Sequence, residues 1–444
     1  MLQVIPSAMQ IYVAPVVCGL IILLILPLLA GCILIVEHKI AAEAHTRHSA
    51  LNDAADSRAH SLLQPIADAV EVTLQEGVTP ARPDLLLSWL APLICLIVAL
   101  LAFSVLPIGP AFQVSDLNIG LIFVLGMSSL GIYGVLLGSW DSNARYSPSG
   151  ALRNAARLIS YGTAGALGLI SALLLSGSLA MKEIVQSQLD QGQWFIFYVP
   201  AGFVIYFIGS IAATDEAPVE STQPDRESVD GPSTEYSGFR WFLHFLTEYA
   251  NMIVFAGIAT TVFLGGWLRP LASFRDRYPG SSIELLDVLP AVLMMGIAFY
   301  CFRRALRQPV KARRIGTWYV CGMCAVSAVM LAATLFASEA FMQGVHGAFW
   351  FVVKAAAYIY CLLLIRFMFP GLRLALSKQL AWQLLVPVAF VNLLTAGAAI
   401  LASQNTGLPM RLTTILSTLA TFGVAWWLAT NSARDLTVLS VDGE

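Results

Sequence analysis

Charge is scarce in this 444-residue chain: 12% of its residues are Asp, Glu, Lys or Arg, while 58% are apolar. That is about half the charged share of a soluble domain, and it leaves too little polar surface to cover the apolar side chains in water. The net charge of −2 excludes a nucleic-acid partner on electrostatic grounds. There is no Gly-rich phosphate loop and no cysteine set for an iron–sulfur cluster. The seven cysteines are scattered, mostly within apolar runs, where cysteine packs as a small side chain. Cys321-Gly-Met-Cys324 has the spacing of half a zinc or redox site. It lacks a second pair and lies inside an apolar run, so a structural role is expected. His45 and His48, near His38 and His60, are spaced as metal ligands could be, but a solvated segment explains them as well. No internal repeat stands out, which counts against a transporter built from duplicated halves. The apolar runs lack the period-two alternation of barrel strands.

What the chain does have is long apolar blocks. Residues 12–36, 87–107, 118–138, 155–180, 194–213, 242–267, 285–302, 314–337, 346–368, 381–402 and 411–430 approach or exceed the roughly 20 residues needed to cross a bilayer. An all-α polytopic membrane protein with about eleven spans is expected. The first block lacks a basic n-region and is too long for a signal peptide. No basic residue precedes Glu37, so the N-terminus is placed outside. Alternating spans then leave Lys182, Arg269, Arg275, Arg277 and Arg411 outside and Lys354 within a span. The other 19 of the 25 basic residues fall in the cytoplasm, as the positive-inside rule requires. The cluster Arg303, Arg304, Arg307, Lys311, Arg313 and Arg314 is the strongest anchor, and the C-terminus is placed inside.

Two cytoplasmic segments are long. Within 37–86, Leu62, Leu63, Ile66, Ala69 and Val70 share a helical face opposite Asp68, Glu71 and Gln75, the pattern of an interfacial helix. Within 214–241 lie Asp215, Glu216, Glu220, Asp225, Glu227, Asp230 and Glu235, which taken alone read as a solvated acidic loop. Ionisable residues inside spans are costly and therefore functional candidates. Glu248 near the start of the sixth span, Asp116 at the opening of the third and Lys354 in mid-span qualify. Their plainer roles would be an interfacial carboxylate, a helix cap and a snorkelling amine.

Several motifs in order carry a family resemblance. Asp116-Leu-Asn-Ile-Gly-Leu-Ile-Phe, Ser128-Ser-Leu-Gly-Ile-Tyr-Gly and Gly138-Ser-Trp-Asp-Ser-Asn-Ala-Arg145-Tyr146-Ser come first. Gly150-Ala-Leu-Arg153, Ser160-Tyr161, Glu235-Tyr-Ser-Gly238 and Glu248-Tyr-Ala-Asn-Met252 follow. Phe349-Trp-Phe-Val-Val-Lys354, Arg366, Phe369-Pro370 and Pro387 through Leu394 complete the set, and Leu62 through Val70 precede it. Together these resemble the quinone-site membrane component of respiratory complex I (the NADH–quinone oxidoreductase), known as its H subunit, as a divergent member. The same fold family includes the equivalent component of membrane-bound hydrogenase-type complexes, so fold alone leaves the electron donor open.

The resemblance implies an eight-helix core in residues 1–283 and 346–402, an inserted helix pair in 284–345, and an added C-terminal helix in 403–444. It implies an inner- or plasma-membrane subunit that is not active alone and holds no flavin or metal. Quinone would be the substrate, and the partners other membrane subunits and peripheral iron–sulfur subunits. Asp68, Arg145, Tyr146, Glu220, Asp225 and Glu227 would line the quinone chamber and couple it to protons. Asp116, Glu248 and Lys354 would belong to an intramembrane proton path. The chain departs from the family at four places. The Arg-x-Gly-Pro-Asn segment is absent, Asp215-Glu216 replaces Asn-Arg, Gly162 stands where a glutamate is usual, and Tyr-Asp-Gln is missing after Arg373. The alternatives are the hydrogenase-type counterpart, a degenerate structural paralogue, and a free-standing transporter.

Overall fold

The computed structural model describes residues 7–44, 67, 70–76, 85–110, 112–141, 147–214, 237–269, 285–307, 311–334, 339–368, 379–406 and 409–441. The main helices are α1 (Ser7–Ala44), α2 (Leu85–Ser104), α3 (Gly120–Asp141), α4 (Ser147–Ser176), α5 (Met181–Gln191), α6 (Pro200–Ala213), α7 (Phe239–Val262), α8 (Leu285–Arg307), α9 (Lys311–Thr334), α10 (Glu339–Met368), α11 (Val386–Thr406) and α12 (Met410–Val441). Eight of the helices are long and apolar enough to cross a membrane, and three shorter apolar helices coincide with the remaining expected spans. The chain is an all-helical polytopic membrane protein, in which each helix satisfies its own backbone groups without water.

The fifth expected span, 194–213, is not one helix. Phe195–Phe197 form a 3₁₀ turn, and the α-helix begins at Pro200 in its first turn. Proline lacks an N–H and fits that position, but it stops the helix from extending backward. Fourteen residues give about 21 Å of helix, less than the roughly 30 Å hydrocarbon core. The irregular stretch is tolerated because it is packed inside protein, with Phe195, Tyr198 and Val199 buried. Sequence reading also passed over α5, a short helix beyond the end of α4. Its buried Gln188 accepts from the Phe195 amide (3.1 Å) and donates to the Thr261 carbonyl (3.0 Å), tying α5 to the end of α7. Leu380–Leu385 form one π-helical turn just before Pro387, closed by the Val386 amide on the Ala381 carbonyl. The wider turn accommodates the donor that Pro387 cannot supply.

Helix α7 is the axis of the bundle. Of its apolar window 61% is buried, against 12–50% for the other candidate spans. Its buried Ala256, Ile258, Ala259 and Val262 join Leu106, Leu121, Leu169, Phe195, Phe263 and Leu362 in one core. Around α7, helix α2 packs on α3, α4 on α6 and α11, and α1 and α10 pack on α7 and on each other. Helices α4 and α6 approach through glycines. A Cβ on Gly168 would lie 2.9 Å from the Gly202 carbonyl, and one on Gly209 would lie 3.1 Å from the Tyr161 carbonyl. Small residues at such crossings let helix backbones pack without a hydrophobic driving force. Helices α8 and α9 pack chiefly on each other and meet the bundle mainly along α10.

Candidate functional site

A cavity of about 990 Å³ opens among α3, α4, α6 and α7. It lies at the end of the bundle where α1, α3, α6 and α10 finish and α4 and α7 begin, the end that bears the 215–236 connection. Its walls mix apolar groups with Ser128, Tyr133, Arg153, Asn154, Thr163 and His244. Its inner wall is fixed by hydrogen bonds: Tyr206 donates to the Phe255 carbonyl (3.0 Å), and the Ser210 hydroxyl pairs with the Tyr358 hydroxyl (2.6 Å). Buried Arg157 donates to the Asn154 side chain at 2.6 Å. Such a cavity, largely apolar with a few fixed polar groups, suits an amphipathic small molecule.

Glu248 lies on the exposed face of α7 and lines this cavity, as does Arg366 near the end of α10. Arg366 Nη1 pairs with Glu37 Oε1 at 3.0 Å, and the Tyr249 hydroxyl donates to Glu37 Oε2 at 2.8 Å. Three helices distant in sequence, α1, α7 and α10, thus converge on one carboxylate. Glu37 retains 13% and Arg366 25% of side-chain exposure, so solvent screens the pair only partly and its coupling stays strong. A second carboxylate, Glu248, is the chain neighbour of Tyr249. Glu248 and Arg366 thus both face the cavity, with Glu37 paired to Arg366 behind it.

The other candidates lie elsewhere. Asp116 precedes α3 and pairs with Lys182 of α5 at 2.9 Å, both partly exposed, at the opposite end of the bundle. Lys354 is buried midway along α10, twelve residues from Arg366, or about 18 Å along the axis. Its ammonium donates to the carbonyls of Leu264 (2.7 Å), Gly266 (3.0 Å) and Leu268, and sits 4.4 Å from the Trp194 ring centroid. Carbonyl oxygens hold a cation but do not take its proton, so these bonds anchor the turn after α7. That turn needs glycine: Gly265 has φ +76°, and a Cβ there would lie 2.7 Å from Trp194. Asp68, Arg145, Tyr146, Glu220, Asp225 and Glu227 lie outside the described residues, although residues 70–74 are helical in line with the expected interfacial helix. Gly162 lines the cavity, and a Cβ there would meet nothing within 4 Å.

Comparison with known proteins decides the family. The sequence pattern of the family described as NADH dehydrogenase matches residues 17–397. The chain belongs to the NADH dehydrogenase family. It is 36% identical over 391 residues to the second H subunit of NADH-quinone oxidoreductase from Solibacter usitatus (strain Ellin6076), covering 86% of this chain and 94% of that protein. It is 38% identical over 345 residues to the first H subunit of NADH-quinone oxidoreductase from Koribacter versatilis (strain Ellin345), covering 74% and 79%. Over 218 residues it is 44% identical to the first H subunit of the same enzyme from Geobacter metallireducens (strain ATCC 53774 / DSM 7210 / GS-15), covering 47% and 66%. Within this family member the sequence reading missed Glu37 and Tyr249 as site residues. A signal for Glu37 was available: it is the only Asp, Glu, Lys or Arg in the first 38 residues, and a carboxylate near the end of so apolar a helix needs a partner.

Proposed function

We propose that this chain is the membrane subunit of a proton-coupled NADH–quinone oxidoreductase that forms part of the quinone chamber and the start of the proton path. The observation that carries the reading is the cavity with Glu248 and Arg366 in its wall and Glu37 paired to Arg366 behind it. Quinone is the substrate, bound in the complex with an apolar ring system and tail that the cavity's largely apolar lining suits. Electrons reach it from iron–sulfur subunits of the same complex, and the chain acts only within that assembly. The orientation that fits the basic residues puts the cavity, the 37–86 and 215–236 segments and the C-terminus on the cytoplasmic side.

The coupling is electrostatic. A quinone species that gains electrons before protons is an anion, and an anion in the cavity raises the proton affinity of the Glu248 carboxyl in its wall. The quinone takes two electrons from the iron–sulfur subunits and two protons to become quinol, and the proton drawn to Glu248 passes on into the membrane path when the anion's charge is lost. In this reading Asp68, Arg145, Tyr146, Glu220, Asp225 and Glu227 also belong to the quinone chamber and its coupling to protons. Asp116 and Lys354 fit this path poorly, since one is an ion-paired residue at the far end and the other is held by carbonyls.

The test uses the assembled complex in sealed vesicles. Glu248→Gln keeps shape and hydrogen-bonding capacity but removes the titration. The variant should assemble normally and lose most proton pumping, with quinone reductase activity reduced as well where coupling is tight. Pumping equal to the unmodified complex would overturn the role of Glu248.

A further inference from the structure

Two rows of side chains run along α7 beside the cavity. Trp241, Phe245 and Tyr249 form one: the first two rings stack at 5.3 Å and the last two meet at 4.8 Å between centroids. The other is His244, Glu248 and Asn251, all in the cavity wall. Spacings of four and three residues keep neighbours on one helix face, so these polar groups form a file. Helix α7 starts at Phe239, at the end that bears the 215–236 connection. From there His244 lies about 7.5 Å, Glu248 about 13.5 Å and Asn251 about 18 Å along the axis. His244 is one turn nearer that end than Glu248.

Every Cα–Cβ bond of a helix tilts toward its N-terminus, so the Glu248 side chain leaves the backbone in the direction of His244. At i, i+4 their Cβ atoms are about 5–6 Å apart, within reach of each other's side chains. The plainer role for His244 is to pack in the wall, but the aromatic row already supplies the ring contacts of this turn. Imidazole is the one side chain whose ordinary titration falls between pH 5 and 8. Among the described residues facing the cavity, the other ionisable groups besides Glu248 are the phenols of Tyr133, Tyr161 and Tyr206, the thiol of Cys95, and the guanidiniums of Arg153 and Arg366. Phenols and thiols ordinarily hold their protons at neutral pH, and guanidiniums do not give theirs up. His244 and Glu248 are therefore the pair suited to exchange one.

We propose that His244 is a relay residue that donates the proton Glu248 takes up, so that proton entry to the site runs through its imidazolium. The inference rests on the coupling role assigned to Glu248 above. When an anion in the cavity raises the proton affinity of Glu248, the imidazolium N–H gives its proton to the carboxylate, leaving neutral imidazole and a carboxylic acid. Neutral His244 then takes the next proton from water at the cytoplasmic end. No electron moves in this step, and one proton has advanced one turn of α7. Asn251, deeper in the file, carries an amide that hydrogen-bonds but does not titrate, so Glu248 is the deepest acid of the row.

The assembled complex in sealed vesicles is driven with NADH and a short-chain quinone. Pumping is read as membrane potential with an oxonol dye, a signal that a permeant weak base does not dissipate. His244→Gln keeps a hydrogen-bonding amide and His244→Phe keeps a ring, and both remove the titration. Each should assemble and pump at least about ten-fold more slowly near neutral pH, the low end for a positioned proton donor. Raising the pH deprotonates the imidazolium, so pumping by the unmodified complex should fall by up to about ten-fold per pH unit on its alkaline limb. Both variants should lose that limb. Added imidazole should restore pumping to His244→Ala, whereas pyrazole, a ring of the same size that is not protonated near neutral pH, should not. Unchanged pumping and pH profile in both variants, or equal rescue by pyrazole, would overturn the relay. Glu248→Gln in the same preparation separates the two possible failures. If it stops pumping while the His244 variants pump normally, the relay alone is wrong; if it pumps as the unmodified complex does, the coupling role and the relay fall together. If His244→Gln fails to assemble, His244→Phe carries the comparison.

Discussion

The Glu37–Arg366 pair is the sharpest point at which the site can be probed. Glu37→Gln keeps an oxygen that can accept from the Tyr249 hydroxyl, now 2.8 Å from the carboxylate, but removes the charge that faces Arg366 at 3.0 Å. A hydrogen bond to a charged group contributes about 1.5–3 kcal/mol, and breaking a fully buried pair costs about 3–5 kcal/mol. Arg366 keeps a quarter of its exposure beside the cavity, so water compensates part of the loss and the expected cost falls to about 1–3 kcal/mol. Arg366→Gln should cost a similar amount, because it strands the carboxylate instead. Removing both should cost less than the sum by about 1–3 kcal/mol, since neither variant then leaves a lone charge. The four forms are compared by detergent-denaturation midpoints and, in the assembled complex, by protons moved per quinone reduced. Additive destabilisation within about 0.5 kcal/mol, or pumping unaffected by Glu37→Gln while Arg366→Gln abolishes it, would refute the argument that the two act as one unit.

Lys354→Met should lower folded yield sharply and expose the turn after α7 to proteolysis. It leaves three carbonyls without their cation, each unmet buried acceptor costing about 1–3 kcal/mol; a variant that folds normally but pumps no protons would instead restore Lys354 to the proton path. Asp116→Asn should change stability by no more than about 1 kcal/mol and leave pumping intact, because it breaks only a partly exposed pair with Lys182. Gly162→Ala should be tolerated and gain up to about 1 kcal/mol of helix stability, because nothing lies within 4 Å of the new Cβ; denaturation and assembly yield measure it.

The architecture was largely legible because a membrane helix is a local object. Its backbone bonds close within the segment, so an apolar run such as 87–107 or 346–368 declares a span without reference to anything else. Legibility failed where the backbone stops being local. The 194–213 run hides a 3₁₀ turn and a helix start at Pro200, and the π-turn before Pro387 compensates a missing donor that hydropathy does not register. Of the three residues Glu248, Arg153 and Arg366 that the structure places on one cavity, only Glu248 was marked as a site residue in the sequence; the two arginines stood in the family motifs without a role. The motifs did not single out Glu37, whose partners Tyr249 and Arg366 lie 212 and 329 residues away. Nor did the sequence separate Lys354 from Glu248, since an ionisable residue in an apolar helix looks the same whether it faces a cavity or a ring of carbonyls.

Number of spans, their rough bounds and the asymmetry of basic residues follow from the sequence by itself, because hydropathy and charge act on each segment independently. Which carboxylate meets which guanidinium was decided only by the tertiary structure. The energy of an ion pair depends on distance and shielding between helices, and neither is a property of any one segment. Glu37, Tyr249 and Arg366 meet only when α1, α7 and α10 pack against one another, and Asp116 meets Lys182 only when α5 is brought beside the start of α3.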